Sequence, residues 1–272
     1  MTKSLFITHY LLLVTFFGAS ACSILYYIDQ ATGKIYVVNN EDHWYDVKPS
    51  INIIPAEKNK LARLWLGWNN FAQGGVNEAG LFFDVATTPN QPQLPGYAKP
   101  KGNFGDNLLA NCKNVEEAVN YLQQQKVALT DGHFLFGDRS GHAVVVEWVN
   151  GQRHIVPVTD NKLMVTNFLL TDPTKGNFPC PRYAAMDTEI NQIRKQGDNN
   201  IDLKKVGNIL GKAVQPPTKD NKGREGGTLY SYFIDLTDMQ FVLVYKLDNS
   251  KKITLDLKNV FAGSKKQILN MN

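Results

Sequence analysis

One of the three cysteines in the sequence stands at a position that suits a nucleophile. Cys22 directly follows the small residues Gly18, Ala19, Ser20 and Ala21. If the chain is cut before it, Cys22 carries a thiol and an α-amine, whose reference pKa values of about 8.5 and about 8 let a proton pass between them at little cost. The residue then supplies both nucleophile and base, as an N-terminal threonine does in other enzymes.

The first 21 residues have the pattern of a secretory signal peptide. Lys3 gives one early positive charge, residues 5–17 are mostly apolar, and Ala19 and Ala21 fit the rule for cleavage after Ala21. The apolar part spans 13 residues, short of the roughly 20 that cross a bilayer. We therefore expect residues 1–21 to be removed, residues 22–272 to form the mature domain, and the protein to be secreted or periplasmic.

Two other interpretations of Cys22 stay open. Cys22 could be the acylated residue of an envelope lipoprotein, although such sites usually have Leu or Val three residues earlier, where this chain has Ala19. It could also be an ordinary buried cysteine, which is the commonest fate of a free thiol. Membrane association is expected only if Cys22 is lipidated.

A nucleophilic Cys22 needs a group that orients its amine, and the next strand offers one. Residues 22–29 and 35–42 are typical of two strands joined by a turn that contains Gly33. If that turn is centred on Thr32, residues whose numbers sum to 64 face each other, and Asp42 lies opposite Cys22. The alternative is that Glu41 and Asp42 form a solvated strand end.

Three further residues could supply hydrogen bonds or positive charge. Asn77 lies at a turn before an apolar strand, and Asn167 ends a strand, although asparagine is also a common turn former. Arg182 falls in the first turn of a helix predicted over residues 181–196, where the helix dipole disfavours a cation. That position suggests a role for Arg182 outside the helix, and an exposed arginine without a role is the alternative.

The remaining pattern predicts one β-rich domain with few helices. Residues 133–168 are typical of a four-strand antiparallel meander, and residues 228–236 and 240–248 of a second hairpin. Helices are expected after the capping residue Asn114, over 181–196 and over 203–214. Residues 215–227 are rich in Pro, Gly and charge and are predicted to form a loop that could act as a lid.

Several classes of function are disfavoured. The net charge of +4 comes from scattered residues with no basic stripe, so nucleic acid is not an expected partner. The five histidines include no pair at metal-ligand spacing, and no nucleotide-binding glycine motif is present, so we expect neither a metal nor a cofactor. Cys112 and Cys180 could form a disulfide or stay as two buried thiols.

The ordered set of motifs resembles the choloylglycine hydrolase, or linear amide C-N hydrolase, family of the N-terminal nucleophile superfamily, which includes bile salt hydrolases and penicillin V acylases. The resemblance spans residues 22–246 and is carried by five segments: CSIL, VVNNEDHW, GVNEAGLFF, HFLFGDRSGHAVVVEW with the following MVTNF, and PCPRYAAM. It implies an α+β fold in which two antiparallel sheets stack between helical layers, an αββα sandwich.

The same resemblance implies roles for five residues. Cys22 attacks an amide carbonyl, Asp42 holds its amine, Asn77 and Asn167 donate hydrogen bonds to the oxyanion and the amine, and Arg182 favours the thiolate. The expected activity is cleavage of a linear amide in a small molecule through a thioester; an acyltransferase and a non-catalytic lipoprotein are the alternatives.

One residue departs from the family pattern. Asn39 stands where bile salt hydrolases usually have an arginine, three residues before the aspartate. The substrate therefore stays open, as does assembly into a homo-oligomer.

Overall fold

The computed structural model describes residues 21–196 and 201–271, in which helices are interspersed among strands along the chain. The predicted signal peptide lies outside the described residues except for Ala21. The elements are, in chain order, β1 (Ala21–Ile28), β2 (Ile35–Trp44), β3 (Ser50–Ile54), β4 (Arg63–Trp68), β5 (Phe71–Asn77), β6 (Leu81–Thr87), α1 (Phe104–Asn111), α2 (Val115–Gln124), β7 (Gly132–Asp138), β8 (Ala143–Val149), β9 (Gln152–Pro157), β10 (Lys162–Val165), α3 (Pro181–Lys195), α4 (Leu203–Gly211), β11 (Thr218–Lys219), β12 (Glu225–Asp235), β13 (Gln240–Tyr245), β14 (Asp248–Asp256), α5 (Leu257–Phe261) and β15 (Gln267–Asn270).

The strands form two antiparallel sheets. The first sheet has seven strands in the order β10-β1-β2-β12-β13-β14, with β11 beside β12. The second sheet has eight strands in the order β15-β3-β4-β5-β6-β7-β8-β9. The predicted α+β class is thereby confirmed.

Three hydrophobic cores separate four layers. The core between the two sheets includes Ile24, Tyr26, Phe82 and Leu135. The core between the second sheet and helices α1 and α2 includes Phe83, Leu108, Leu122, Phe134 and Trp148. The core between the first sheet and helices α3 and α4 includes Leu25, Val38, Met186, Ile190 and Leu210. Because successive side chains of a strand point to opposite faces, each sheet buries both of its faces, and the order of layers is αββα as expected.

All three predicted helices are present, and local interactions explain where they begin. The Asn114 side chain caps α2 by accepting from the backbone N–H of Glu117, whose carboxylate accepts from the N–H of Lys113. Helix α3 begins at Pro181, where the missing N–H costs nothing. Helix α1 lies in a segment for which the sequence predicted no helix, and α4 ends at Gly211, three residues earlier than expected.

The predicted four-strand meander is wrong in its last strand. Strands β7, β8 and β9 are neighbours in the second sheet, but β10 belongs to the first sheet and pairs with β1, with Val165 opposite Ile24. The crossing is possible because residues 158–161 lie between β9 and β10 and turn there, with Asp160 and Asn161 at positive φ. This crossing places the end of β10, and Asn167 after it, beside β1, the strand that carries Cys22.

The predicted register of the first hairpin is wrong by one residue. Cys22 pairs with Glu41 and Ala21 pairs with Asp42, so facing residue numbers sum to 63. The turn has an even number of residues because Asp29 closes it twice: its N–H donates to the Lys34 carbonyl, and its own carbonyl accepts from the N–H of Gly33 at φ +71°. A turn centred on a single residue is therefore not formed.

Residues 215–227 include a short hairpin rather than loop alone. Strand β11 pairs with the start of β12, with Thr218 opposite Gly226, and the segment begins at the buried Gln215. The predicted second hairpin is confirmed as β12 and β13. Among the described helices, none is long and apolar enough to cross a membrane.

Candidate active site at Cys22

The Cys22 side chain points into the space between the two sheets, where it meets a carboxyl group. The thiol is 2% exposed and donates to Oε1 of Glu41, at 3.6 Å from the sulfur. Glu41 also accepts from Nδ2 of Asn39 at 3.4 Å. The departure from the family pattern at position 39 thus places an amide, with no charge, against Glu41.

Burial raises the pKa of the Cys22 thiol well above its usual value. The carboxylates of Glu41, Asp84 and Asp42, in that order of influence, raise it further, and Arg182 acts in the opposite direction. The thiolate is therefore disfavoured while these carboxyl groups are charged.

Burial shifts two of the carboxyl groups near Cys22 toward their protonated forms. Burial raises the pKa of Asp84 to about 8, against the hydrogen bond that Tyr232 donates to it. Burial also raises the pKa of Glu41 well above its usual value, and the neighbouring Asp84 and Asp42 add to the effect. The carboxyl groups beneath Cys22 are therefore harder to ionise than exposed ones.

Asp42 lies on the other face of the first sheet because it pairs with Ala21 and not with Cys22. Its carboxyl accepts from Oγ1 of Thr228 at 2.6 Å and from Nε2 of Gln215 at 2.7 Å. Burial raises the pKa of Asp42 to about 7, although Arg182 and these two donors act to lower it. Asp42 is adjacent to the peptide bond that joins residues 21 and 22.

Arg182 bonds to Cys22 and to two of the side chains predicted to support it, Asp42 and Asn167. One terminal nitrogen donates to the Cys22 carbonyl at 2.8 Å and to Oγ of Ser23 at 2.7 Å, and lies 3.4 Å from the Asp42 carboxylate. The other donates to Oδ1 of Asn167 at 2.7 Å. The planar fork of arginine fits several acceptors at once, which accounts for a cation in the first turn of α3.

Asn167 links the first sheet to the second sheet close to Arg182. Its Nδ2 donates to the carbonyl and to Oγ1 of Thr87, both at 2.9 Å. Thr87 ends β6 in the second sheet, whereas Asn167 follows β10 in the first. The structure therefore brings together Cys22, Asp42, Asn167 and Arg182.

Asn77 has a different environment. Its Nδ2 donates to the carbonyls of Leu109 and Cys112, at 2.8 and 2.7 Å, and its Oδ1 accepts from the N–H of Leu81. These bonds tie the turn between β5 and β6 to the end of α1, and they use both amide hydrogens. The oxyanion role predicted for Asn77 stays a prediction, whereas its structural contacts are direct.

Sequence reasoning missed several residues of the site. Glu41 would have been placed opposite Cys22 by the correct turn length. Asp84 stands out as a carboxylate within the apolar run of β6, which is a signal of a buried functional or structural acid. The partners of Asp42 and Asn167 come from distant segments and carry no sequence signal: Thr87, Gln215 and Thr228.

A cavity of about 520 Å³ opens beside Thr87. It lies against the second sheet and α1, and its lining is mainly apolar: Phe71, Ala72, Phe83, Val85, Phe104, Leu129 and Phe134, with Gln73, Thr87, Thr88, Asn90, Pro100, Gly105 and Asp131. Through Thr87 it adjoins the side chain of Asn167. This cavity can hold an apolar group of a small molecule.

The structure also bears on two other possibilities, a disulfide and a metal site. All three cysteines are free and buried, so Cys112 and Cys180 form no disulfide. Within residues 21–196 and 201–271, no group of three or more His, Cys, Asp or Glu side chains could hold a metal ion.

The αββα layers are those of the N-terminal nucleophile hydrolase fold, and comparison with known proteins agrees. The chain belongs to the acyl-coenzyme A:6-aminopenicillanic acid acyl-transferase family, whose model matches residues 22–249. No curated protein matches the sequence.

Solved structures share the fold at low sequence identity. The chain is similar to a conjugated bile acid hydrolase from Clostridium perfringens, with a TM-score of 0.73, 18% identity, and coverage of 92% of this chain and 97% of that one. It is similar to penicillin V acylase from Agrobacterium tumefaciens, with a TM-score of 0.70, 16% identity and coverage of 92% and 90%. A Caenorhabditis elegans ortholog of N-acylethanolamine-hydrolyzing acid amidase matches with a TM-score of 0.55, 16% identity and coverage of 79% and 93%.

Proposed function

We propose that this protein is an exported hydrolase of linear amides that uses Cys22 as an N-terminal nucleophile. The observation that carries the proposal is the fork of Arg182, which contacts the Cys22 carbonyl, the Asp42 carboxylate and the Asn167 amide at once. A cation that holds the residue after a predicted cleavage point, together with a carboxylate beside that point, is the arrangement that an N-terminal nucleophile needs.

In this mechanism the α-amine of Cys22 takes the thiol proton as the sulfur attacks the amide carbonyl. The new S–C bond gives a tetrahedral oxyanion, and the amine returns the proton to the substrate nitrogen as the C–N bond breaks. The amine product leaves, and a thioester stays on Cys22. Water then adds to the thioester with the same base, which releases the carboxylic acid and the thiol.

The neighbouring side chains support these steps. Asp42 accepts a hydrogen bond from the α-amine, and a cationic amine beside it favours its charged form. Asn167, oriented by Arg182, and Asn77 are the predicted donors to the oxyanion. Their amide hydrogens are bonded in the structure to Thr87 and to the carbonyls of Leu109 and Cys112, so donation to substrate requires that one of these bonds is exchanged. Arg182 lowers the cost of the thiolate.

The cavity beside Thr87 suits the acyl part of the substrate. Its lining is mainly aromatic and aliphatic. It lies on the helix-facing side of the second sheet and adjoins Asn167 through Thr87, so an acyl chain bound there would pass the end of β6 to reach the Cys22 thiol. We therefore propose a small-molecule substrate with an apolar acyl group, such as an acyl-amino acid, a conjugated bile salt or penicillin V.

Export is part of the proposal because the mature N-terminus creates the catalyst. Cleavage after Ala21 would leave a secreted or periplasmic chain that starts with Cys22. Mass spectrometry of the mature protein separates the alternatives, because a free Cys22 supports the enzyme, whereas a diacylglyceryl Cys22 would mean a membrane-bound lipoprotein without this chemistry.

Acyl transfer to an amine is the second candidate, and the family match favours it. The matched family model describes an acyl-transferase. In that reaction an amine in place of water accepts the acyl group from the Cys22 thioester. Product analysis with and without added amine acceptors distinguishes transfer from hydrolysis.

The proposal is tested with a panel of acyl-amino acids, glycine- and taurine-conjugated bile salts, penicillin V and acyl-homoserine lactones. Two forms of the chain are compared, one that begins at Cys22 and one that carries Cys22→Ala. Amide cleavage by the first form alone supports the proposal. Equal cleavage by both forms would refute the role of Cys22, and no cleavage of any panel member would refute the substrate class.

A further inference from the structure

A second buried pair of titratable residues lies near Asn167, outside the group that contacts Cys22. His133 and Glu147 occur on the adjacent strands β7 and β8 of the second sheet, one step beyond the paired residues Phe134 and Val146. Both side chains are fully buried. Their hydrogen bonds reach the segment that follows β10 in the first sheet.

Each ring nitrogen of His133 faces an oxygen. Nε2 lies 3.0 Å from the Thr166 carbonyl, and Nδ1 lies 3.3 Å from Oε2 of Glu147. A carbonyl oxygen accepts and cannot donate, so Nε2 carries a proton. The state of Nδ1 then depends on whether the Glu147 carboxyl is charged.

Glu147 is charged because donors converge on it from three sides. It accepts from the N–H of Leu170 at 3.0 Å, and from the N–H and Oγ1 of Thr171 at 2.7 and 2.6 Å. Burial alone would raise the pKa of Glu147, but the bonds from His133 and Thr171 outweigh burial and hold the pKa below its usual value. A charged carboxylate only accepts, so Nδ1 also carries a proton.

We propose that His133 bears a proton on both ring nitrogens and, with Glu147, forms a positioning pair that fixes Asn167. The pair holds the chain on both sides of that residue, at the Thr166 carbonyl and at the N–H groups of Leu170 and Thr171. It therefore sets where the Asn167 amide lies relative to Arg182. The catalytic consequence rests on the proposed function, whereas the charge state of the pair does not.

The surroundings of His133 supply no other direct partner among the described contacts. On the neighbouring strand it pairs with Ala86, and two residues before that lies Asp84, which is bonded to Tyr232. From the first sheet the Thr166 carbonyl is the group that contacts the ring. Loss of either ring proton would leave the Thr166 carbonyl or the Glu147 carboxylate without its donor, which is costly in a buried site.

The charge state can be measured directly, without any substrate. Long-range 1H–15N correlation spectra of the histidine-labelled chain that begins at Cys22 are recorded at pH 7, and the His133 signals are assigned by their loss in His133→Gln. We expect both ring nitrogens of His133 to show protonated shifts, with the exposed His142 as the internal comparison. One unprotonated ring nitrogen on His133 would overturn the proposal.

The positioning role is tested by kinetics on the same His133→Gln variant. Glutamine has a single donor nitrogen and so can serve only one of the two acceptors, and we expect kcat to fall at least tenfold while KM changes less than twofold. Asp106→Asn is the matched control, because it removes another ion pair, with Arg63 at 2.6 Å, on the far side of the second sheet. Equal loss of kcat in both variants, or loss of stability without loss of kcat in the folded protein, would overturn the role.

A milder variant covers the case in which His133→Gln does not fold. Thr171→Val removes the hydroxyl that donates to Glu147 and preserves the branched shape at an exposed position. We expect a smaller fall of kcat, about threefold, with KM unchanged. An unchanged kcat in Thr171→Val would count against the proposal. If the wild-type chain shows no amide cleavage at all, the proposed function fails while the NMR result still decides the charge state.

Discussion

The Cys22 thiol faces the Glu41 carboxyl across β1 and β2, with the sulfur 3.6 Å from Oε1. The thiol of Cys22 thus lies against an acid between the sheets, whereas Arg182 bonds its backbone carbonyl on the other face, where Asp42 also lies. The groups that influence protonation at Cys22 therefore lie on both faces of β1.

Replacing Glu41 by Gln should make the Cys22 thiol more acidic. The carboxylate of Glu41 disfavours the thiolate, so its removal lowers the thiol pKa, although burial still holds it high. We expect the pH midpoint of alkylation by iodoacetamide, read at the Cys22 peptide by mass spectrometry, to fall. The exposed change Glu57→Gln is the control and should leave the midpoint unaltered. A higher midpoint in Glu41→Gln would contradict this arrangement.

Asp42→Asn should keep the fold and lose activity. Asparagine can still accept from Thr228, but it cannot balance a cationic amine at Cys22. We expect kcat for amide cleavage to fall at least tenfold, with a melting temperature within a few degrees of wild type. Unchanged activity would remove Asp42 from the mechanism.

Arg182→Lys should show whether the site needs the planar geometry of the guanidinium group or only its positive charge. Lysine keeps the positive charge but cannot bond the Cys22 carbonyl, Ser23 and Asn167 together. We expect a fall of kcat of one to two orders of magnitude, measured on the best substrate of the panel. Arg194→Lys is a matched control on the same helix, where the side chain bonds Asp160 at the surface. Equal effects of the two changes would contradict a special role for Arg182.

The buried acids predict that stability falls as pH rises. Asp84 has a pKa of about 8 in the folded chain and an ordinary value of 3.8, so its protonated form stabilises the fold fully below about pH 4, and this contribution is lost as pH rises through 8. The raised pKa values of Glu41 and Asp42 act in the same direction, so the free energy of unfolding should fall as pH rises from 5 to 8. Urea unfolding at pH 5 and pH 8 measures this difference. Asp84→Asn should flatten the dependence, and a wild-type stability that rises from pH 5 to pH 8 would exclude it.

Filling the cavity beside Thr87 should affect substrate binding and leave the thiol intact. Val85→Phe places a ring in the apolar lining, so we expect KM for a bulky acyl group to rise at least fivefold while Cys22 alkylation is unchanged. Val144→Phe makes the same change in a second cavity, near Asn114 and Ile155, and serves as the control. Equal KM values for the two variants would show that the acyl group binds elsewhere.

Sequence patterns predicted most strands and the position of Cys22, because apolar strands and capping residues act locally, whereas the layered class was implied by the family resemblance. The register of the first hairpin was missed since Gly33 and Asp29 together close a turn of even length, and a one-residue difference moves Asp42 to the other face. The strand β10 was misplaced because strand patterns carry no record of which sheet a strand joins.

Site residues were predicted only where a local sequence pattern marks them. Arg182 was flagged by its position in a helix, and the structure supplies its partners. The opposition of His133 and Glu147 follows from the hairpin around residues 139–142 and could have been found from the sequence. The contacts of Asn167 with Thr87 and of Asp42 with Gln215 join residues far apart in the chain, so local patterns cannot predict them.

The central claim is that Cys22 carries the acyl group, and acid quenching of the chain that begins at Cys22 during turnover of the best substrate tests it most directly. Mass spectrometry of the digested protein should find the mass of the acyl group on the Cys22 peptide, and hydroxylamine should remove it, as expected for a thioester. The same acyl group should be absent from the peptides that contain Cys112 and Cys180. Turnover without any adduct at Cys22, or turnover that persists in Cys22→Ala, would contradict the account.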